Sequence, residues 1–173
     1  MILNYRQKNL SFIVGAVLVL LVLGWLGGNQ IAVVPKQDGG ANPNNSAQTK
    51  EAIVTKVLDG DTIIVQGGIH VRLLGIDADE KDSPCYDSAR QRLEELILGK
   101  TVVLEMDNEG QDQYGRQLRF VFLNGVNINQ QLVAEGMAIA RFYPENQKYK
   151  AEIVAAEAEA IKNKTGCKWE GRS

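Results

Sequence analysis

The chain has 173 residues, which allows one domain of ordinary size and a short additional segment. Its formal net charge is −2, and residues 51–173 carry 15 lysines and arginines against 20 aspartates and glutamates, so the composition does not indicate a broadly basic nucleic-acid-binding surface. The single histidine, His70, excludes a histidine-rich zinc site and any mechanism that needs two histidines.

The N-terminal region has the composition of a membrane segment. Leu10–Leu26 is almost entirely apolar and is just long enough to cross a bilayer, and Arg6 and Lys8 precede it. Positive charges on this short tail predict that it stays in the cytoplasm and that the rest of the chain is exported. We therefore expect a cytoplasmic tail at residues 1–9, a transmembrane signal-anchor at 10–27, a flexible linker at 28–50 and one folded domain at 51–173.

A cleaved signal peptide, followed by secretion, is the alternative interpretation of this segment. The apolar region of such a peptide is normally about 7–15 residues long and ends in a small-x-small site. The run here is longer, and Gln30-Ile31-Ala32 matches such a site poorly. The uncleaved anchor is therefore preferred, with the folded domain outside the cytoplasm.

Five strands and three helices are predicted after Ala52. β-Branched residues alternate with polar ones and stop at Asp-Gly, Gly-Gly and Asn-Gly pairs, which predicts strands at Ile53–Leu58, Thr62–Gln66, Ile69–Ile76, Val102–Glu105 and Leu118–Leu123. Ser88 and Gln91 have the spacing of a capping box, so a first helix is expected from Ser88 to Gly99. The other helices are expected at Asn127–Glu135 and Lys148–Lys164.

The last predicted helix has Ala151, Val154, Ala158 and Ile161 on its apolar face. Five short strands with interleaved helices favour a mainly β fold with α-helices (α+β), a five-stranded barrel of the OB type with three helices, preceded by the transmembrane helix.

Acidic residues are concentrated at the predicted strand ends. Asp61 and Asp77 are oxygen donors suited to a hard cation such as Ca²⁺, and the backbone carbonyl of Ala78 could add a third ligand. Glu80 is a candidate to orient or deprotonate an attacking water. Each acidic motif alone could be an ordinary solvated turn, because Asp-Gly is a common turn signal.

Two arginines strengthen the chemical interpretation. Arg72 lies on the strand between the two acidic strand ends, and Arg116 follows a Tyr-Gly turn. Each guanidinium can bind phosphate oxygens bidentately, which lysine cannot do. Carboxylates for a cation, a base for water and arginines for phosphate together indicate phosphodiester hydrolysis.

The chain resembles the staphylococcal nuclease family (thermonuclease, micrococcal nuclease) over residues 52–170. The motifs that carry this resemblance are Asp59-Gly60-Asp61-Thr62, Arg72-Leu73-Leu74-Gly75-Ile76-Asp77 with Glu80, and Asp112-Gln113-Tyr114-Gly115-Arg116, with support from Val126-Asn127, Leu132–Gly136 and Trp169. The resemblance implies an OB barrel, dependence on Ca²⁺, and cleavage of DNA and RNA on the 5′ side of the phosphate, which leaves 3′-phosphates.

The family's roles can be carried to this chain residue by residue. Asp61, Asp77 and the Ala78 carbonyl become metal ligands, Glu80 the general base, Arg72 and Arg116 the phosphate clamps, and Tyr114 a group lining the nucleotide pocket. An aromatic residue under the nucleotide is expected within Ala140–Asn146, and either Phe142 or Tyr143 could supply it.

The sequence departs from the family pattern after Asp77. The family usually reads Asp-Thr-Pro-Glu where this chain has Asp77-Ala78-Asp79-Glu80. Asp79 adds a negative charge that could tighten cation binding or slow attack on an anionic substrate. Gln113 replaces the lysine or arginine common before Tyr-Gly-Arg, which removes one favourable charge.

The two cysteines, Cys85 and Cys167, have two interpretations. They could be buried thiols, but export favours a disulfide between them, because disulfides persist outside the cytoplasm. His70 is expected to be an ordinary surface or barrel residue.

A non-catalytic OB-fold module that binds nucleic acid or protein is the competing functional hypothesis. Such a module has no reason to keep Glu80, Arg72 and Arg116 beside two aspartates, so we favour the enzyme. We expect a monomer that acts on DNA and RNA, preferentially single-stranded or frayed, because an OB groove takes strands whose bases can stack.

Overall fold

The computed structural model describes residues 49–171. The expected tail and signal-anchor lie outside these residues, as does the linker apart from Thr49 and Lys50, which belong to the first strand. Within residues 49–171, no helix is both long and apolar enough to span a bilayer.

Five strands close into a barrel. The strands of the described residues are β1 (Thr49–Val57), β2 (Thr62–Val65), β3 (Ile69–Leu73), β4 (Ile76–Ala78), β5 (Thr101–Glu105), β6 (Gln117–Leu123), β7 (Val126–Asn127) and β8 (Ala138–Ala140). β1 pairs with β2 and β5, β2 with β3, and β5 with β6, all antiparallel, and the parallel pairing of β3 with β6 closes the ring. This ring confirms the predicted five-stranded OB-type barrel.

The first strand takes part in both halves of the barrel because it is bent. Residues Thr49–Ile53 pair with β5, and the pairing with β2 begins at Val54. The register shifts between Val54 and Lys56, where a bulge bends the strand and increases its twist. One long strand can therefore turn a corner of the barrel.

Helices cover the barrel and complete the core. They are α1 (Tyr86–Ile97), α2 (Ile128–Ala134), α3 (Lys150–Lys162) and the short α4 (Gly166–Trp169). Buried side chains from the barrel strands, such as Ile63 and Phe120, pack in one cluster with Leu93 of α1, Leu132 of α2 and Ile153 of α3. This common core holds the strand ends, and with them the candidate site residues, in fixed positions.

The start of α1 differs from the prediction. The helix begins at Tyr86 with Cys85 at the N-cap, so Ser88 lies within the first turn and forms no capping box. Cys85 is joined by a disulfide to Cys167, and its amide donates to the Asp79 carboxylate at 3.0 Å. These two tertiary contacts anchor the chain before Ser88, and the helix starts from that anchor.

Two further predictions were wrong in detail, and the short helix α4 was not predicted. The predicted strand Ile69–Ile76 is interrupted, because Gly75 has a φ of 74° and turns the chain from β3 into β4, which pairs with β8. On α3 the buried residues are Ile153 and Ala160, whereas Val154 and Ile161 are exposed. Both pairs have a seven-residue spacing, so periodicity alone cannot select between these adjacent stripes.

Candidate active site

Asp61 lies in the turn between β1 and β2 and is 6% exposed. Asp59 accepts a hydrogen bond from the Asp61 amide at 3.0 Å, which stabilises the turn. A Cβ atom on Gly60 would lie 2.6 Å from the Cβ atoms of Ala78 and Ala89, so this close approach requires glycine. The Asp-Gly-Asp motif thereby brings the Asp61 carboxylate to β4, where it accepts from the Ala78 amide at 2.8 Å.

Arg72 joins the two aspartates into one group, which we call the arginine–carboxylate cluster (Asp61, Arg72 and Asp77). Its Nη1 donates to the carbonyl oxygens of Leu73 (2.9 Å) and Ile76 (3.0 Å). Its Nη2 lies 2.9 Å from Asp61 Oδ2 and 3.0 Å from Asp77 Oδ1. With four such contacts the guanidinium has a fixed orientation, as its planar arrangement of donors allows.

The two aspartates of the cluster differ in exposure. The Asp61 side chain is 9% exposed and the Asp77 side chain 30%. Burial raises the pKa of Asp61 from 3.8 to about 6, although the Arg72 charge and the hydrogen bond from the Ala78 amide oppose this increase. The Asp61 carboxylate therefore lies in an environment that disfavours its negative charge unless further positive charge is near.

The cluster has the donor chemistry of a site for a hard divalent cation. Asp61 Oδ2 and Asp77 Oδ1 converge on the same nitrogen of Arg72. Within residues 49–171, no group of three or more His, Cys, Asp or Glu side chains could hold a metal ion. Since Ca²⁺ takes about six to eight oxygen ligands, a cation here would need backbone carbonyl, water or substrate oxygens beside the two carboxylates.

Glu80 lies beyond the end of β4 and is exposed. Its backbone carbonyl accepts from the Ser83 amide at 3.0 Å, while its side chain has no hydrogen bond or ion pair with any other described residue. The structure thus brings Asp61, Arg72 and Asp77 into contact and leaves the Glu80 carboxylate outside that contact network. Hydrogen bonds of a catalytic base often form only once substrate is bound, so this position is compatible with a base.

A cavity of about 360 Å³ lies beside the cluster. Arg72 and Arg116 both line it. Arg116 Nε donates to Asp112 Oδ2 at 2.7 Å, and Asp112 Oδ1 accepts from the amides of Tyr114 and Arg116. Burial acts to raise the pKa of Asp112, but the hydrogen bonds from Arg116 and Tyr114 outweigh it and lower that pKa. Asp112 therefore holds the loop that presents Arg116 to the cavity.

Two exposed tyrosines line the same cavity. Tyr114 is 75% exposed and Tyr143 is 59% exposed. Phe142, the alternative to Tyr143, packs against the core, and a Cβ atom on Gly75 would lie 2.7 Å from its ring. Of the two aromatic candidates, Tyr143 is therefore the one positioned to meet a ligand in the cavity.

A family model described as staphylococcal nuclease homologue matches residues 70–170. Thermonuclease of Staphylococcus intermedius is 38% identical over 127 residues, covering 68% of this chain and 75% of that protein. The chain belongs to the staphylococcal nuclease family.

Other relatives agree with this assignment. Thermonuclease of Staphylococcus hyicus is 35% identical over 130 residues, covering 70% of this chain and 76% of that protein. Endonuclease YncB of Bacillus subtilis (strain 168) is 33% identical over 135 residues, covering 70% of this chain and 64% of that protein. As a member of this family, the chain is a nuclease and therefore a hydrolase. Asp61 lies before the matched range of the family model, so its place in the site rests on its contacts with Arg72 and Ala78.

Asp79, one of the residues that depart from the family pattern, is not part of the arginine–carboxylate cluster. It forms an ion pair with Lys168, whose side chain is only 10% exposed. A disulfide joins Cys85, which follows Asp79 in the sequence, to Cys167, which directly precedes Lys168, and the two Cα atoms are 5.5 Å apart. We call these four residues (Asp79, Cys85, Cys167 and Lys168) the C-terminal clasp. The negative charge of Asp79 is thus neutralised by lysine.

Sequence reasoning assigned no role to three residues that organise the nuclease site. Arg141 donates to Asp77 Oδ2 at 3.1 Å and lines the cavity. Asp112 positions Arg116, and the four-residue spacing between them was a usable signal. Asn129 is fully buried and links the Val121 amide to the Leu74 carbonyl, which secures the segment between β3 and β4. Nothing local in the sequence marks Arg141 or Asn129.

Proposed function

We propose that this nuclease is Ca²⁺-dependent and hydrolyses phosphodiester bonds of DNA and RNA by breaking the bond to the 5′-oxygen, which leaves 3′-phosphates. One observation carries the proposal: two carboxylates converge on Arg72 beside a cavity that Arg116 also lines. In this proposal Asp61, Asp77 and the Ala78 carbonyl hold the cation. Ca²⁺ held there would supply positive charge close to the phosphate oxygens.

The protein's own side chains have separate roles in the reaction. Glu80 accepts a proton as the water oxygen forms its bond to phosphorus, and the bond to the 5′-oxygen breaks. Arg72 and Arg116 donate hydrogen bonds to the non-bridging oxygens and stabilise the phosphorane-like transition state. The 5′-oxygen leaves and takes up a proton from solvent, which gives a 5′-hydroxyl and the new 3′-phosphate. Arg72 is already oriented by two backbone carbonyls, so little ordering is needed when substrate binds.

The cavity favours single strands as substrates. Tyr114 and Tyr143 expose their rings there, and stacking of bases on aromatic rings contributes about 1–3 kcal/mol per base. Bases in an intact duplex are not available for such stacking. We therefore expect faster cleavage of single-stranded or frayed nucleic acid than of stable duplex.

The test is hydrolysis of single-stranded DNA and RNA by the full chain in mild detergent, with Ca²⁺, with Mg²⁺ and with EGTA. Glu80→Gln is compared with Glu159→Gln, which changes an exposed carboxylate on α3. We expect cleavage with Ca²⁺ that leaves 3′-phosphates, is abolished by EGTA and by Glu80→Gln, and is unaffected by Glu159→Gln. Binding without cleavage under every cation would reject the catalytic proposal. Cleavage that persists in EGTA would reject the roles of Asp61 and Asp77.

We extend the proposal to location: residues 10–27 anchor the nuclease domain in the membrane, with the domain outside the cytoplasm. Support comes from the uncharged apolar run in the sequence and from the disulfide, which is compatible with an oxidising compartment. Protease added to intact cells should degrade the domain, whereas a cytoplasmic marker protein should survive. A protected domain would contradict this location, and recovery of the domain in the medium would indicate signal cleavage.

A further inference from the structure

Arg141 occupies a position that the proposed chemistry does not use. It directly follows β8, and its amide donates to the Gly75 carbonyl at 2.9 Å, which fixes its backbone next to β4. Its Nη1 lies 3.1 Å from Asp77 Oδ2, while Arg72 holds the other oxygen of the same carboxylate. The Arg141 side chain is 54% exposed, compared with 17% for Arg72, and it lines the cavity.

The two arginines on Asp77 are held very differently. Two backbone carbonyls and two carboxylates fix Arg72. Arg141 has an exposed ion pair with Asp77, and pairs of this kind are weak. A guanidinium has five N–H donors, so most of those on Arg141 remain available to an anion that enters the cavity.

The cavity contains two arginine–tyrosine pairs from different segments of the chain. The Cζ atom of Arg116 lies 5.6 Å from the ring centroid of Tyr114, and that of Arg141 lies 5.8 Å from the ring centroid of Tyr143. Each pair combines a base-stacking surface with a phosphate-binding group. The cavity therefore has two places at which a base and a phosphate can be bound together.

The charge balance of the cavity gives Arg141 a further role. Its lining has three arginines (Arg72, Arg116 and Arg141) and three carboxylates (Glu109, Asp112 and Glu145). The domain as a whole is acidic, so it provides no general attraction for a polyanion. Without Arg141, carboxylates would outnumber arginines in the lining.

We infer that Arg141 is a third phosphate-binding residue, which contacts the phosphodiester next to the one that is cleaved. This inference rests on the proposed function. It makes the nuclease select strands over dinucleotides, because a dinucleotide has no second phosphodiester for Arg141 to bind. The specific class of ligand is a single-stranded oligonucleotide with at least two internal phosphates.

The test measures binding of fluorescein-labelled oligothymidylate to the full chain in detergent, with Ca²⁺, in a Glu80→Gln background that prevents cleavage. The dissociation constant is followed by anisotropy over a range of salt concentrations, for a dinucleotide and for a longer strand. Arg141→Ala is compared with Arg141→Lys and with Arg90→Ala, an α1 arginine that pairs with Glu94 outside the cavity.

We expect Arg141→Ala to weaken binding of the longer strand roughly tenfold and to reduce the slope of log K against log salt by about 0.7, the value for one single-strand phosphate contact. Arg141→Lys should keep the slope, and dinucleotide binding should change in neither variant. Since Arg141 is exposed, these variants should retain the thermal unfolding midpoint of the parent. Arg90→Ala should leave the dissociation constants of the dinucleotide and of the longer strand unchanged.

Two results would overturn the inference. One is a slope in Arg141→Ala equal to that in Arg90→Ala. The other is a change in Ca²⁺ affinity, measured calorimetrically, with no change in slope, since Arg141 would then only position Asp77. If no strand binds to any variant and the protein with Glu80 intact cleaves none, the proposed function itself has failed. That result differs from failure of the Arg141 inference alone, in which strands still bind.

Discussion

Asp77 and Asp79 are two residues apart, yet they belong to regions of opposite character. Asp77 is part of the arginine–carboxylate cluster, whose charges border an open cavity. Asp79 is part of the C-terminal clasp, where its charge is paired with a nearly buried lysine next to a disulfide. In the first region charged atoms remain available to a ligand, whereas in the second they are paired with each other.

The two regions also differ in what they contribute to stability. In the cluster, burial of Asp61 disfavours its ionised form and raises its pKa to about 6. In the clasp, a covalent bond and an ion pair join segments far apart in sequence. The difference shows how a small barrel can hold an unfavourable group of charges: stabilising contacts are placed immediately beyond it in the sequence.

The largest effect is expected from Arg72→Lys, which alters the arginine–carboxylate cluster. Lysine cannot reproduce the four contacts of the guanidinium, which orient it beside the cavity. The kcat on single-stranded DNA should fall by a factor on the order of 10²–10³. Arg92→Lys is the control, because Arg92 forms a comparable pair with Glu135 outside the cavity, and its kcat should equal that of the parent. An Arg72→Lys variant with nearly parental kcat would contradict the role of the cluster.

The opposite result is expected from removal of the disulfide. The bond connects residues 82 apart in sequence, so its loss in Cys85→Ser/Cys167→Ser should lower the free energy of unfolding by about 4 kcal/mol in the chain-entropy description. The kcat should stay within about twofold at temperatures where the variant is folded. Urea unfolding of the variant should match that of the parent in reductant. A large loss of kcat in a fully folded variant would show that the clasp belongs to the active site.

A third prediction concerns pH and the metal-free protein. An acid whose pKa is higher in the folded than in the unfolded state leaves stability unaffected below its unfolded pKa and reduces it as pH rises through its folded pKa. For Asp61, with a folded pKa of about 6 against 3.8, that reduction develops between these values and reaches about 2–3 kcal/mol.

Asp61→Asn removes this charge. In EGTA, the unfolding free energy of Asp61→Asn minus that of the parent should therefore increase between about pH 4 and pH 7. Asp87→Asn, which changes an exposed carboxylate of α1, serves as the control in the same urea titrations. A difference that does not vary with pH would show that Asp61 is not a buried, destabilising charge.

Sequence patterns predicted the barrel and the neighbouring positions of Asp61 and Arg72 because both depend on local signals. The Asp-Gly and Gly-Gly pairs mark strand ends, Asp61 directly follows the first of them, and Arg72 lies opposite Thr62 in the pairing of β2 with β3. Once antiparallel neighbours pair through short turns, residues at adjacent strand ends come together without further information. The contact between Asp61 and Arg72 follows from that rule.

The features that could not be predicted depend on contacts between distant segments. Arg141 meets Asp77 across 64 residues, and Lys168 meets Asp79 across 89. Tyr143 rather than Phe142 faces the cavity because Phe142 packs on Gly75, whose positive φ is itself set by the turn into β4. The buried stripe of α3 is selected by its neighbours, since alanines occur on both possible faces.

The smallest predicted effect addresses the link between the two regions. Lys168→Met keeps much of the side-chain volume and removes the positive charge that neutralises Asp79. The negative charge of Asp79 then acts on a cation bound two residues away at Asp77. Calorimetry should show Ca²⁺ binding tightened by about two- to threefold at low salt, which corresponds to roughly 0.5 kcal/mol, and an effect that disappears at high salt.

Adding Asp79→Asn to Lys168→Met should return the Ca²⁺ affinity to the parental value, because this cycle isolates the Asp79 charge from any change in packing. Unaltered affinity in Lys168→Met would mean that the Asp79 charge does not reach the cluster. In that case the aspartate that replaces the family's proline stabilises only the C-terminal clasp. Its side chain also accepts a hydrogen bond from the amide of Cys85, the N-cap residue of α1. Tightened affinity would instead show that Lys168 is what permits an aspartate at this position without disturbing the cation site.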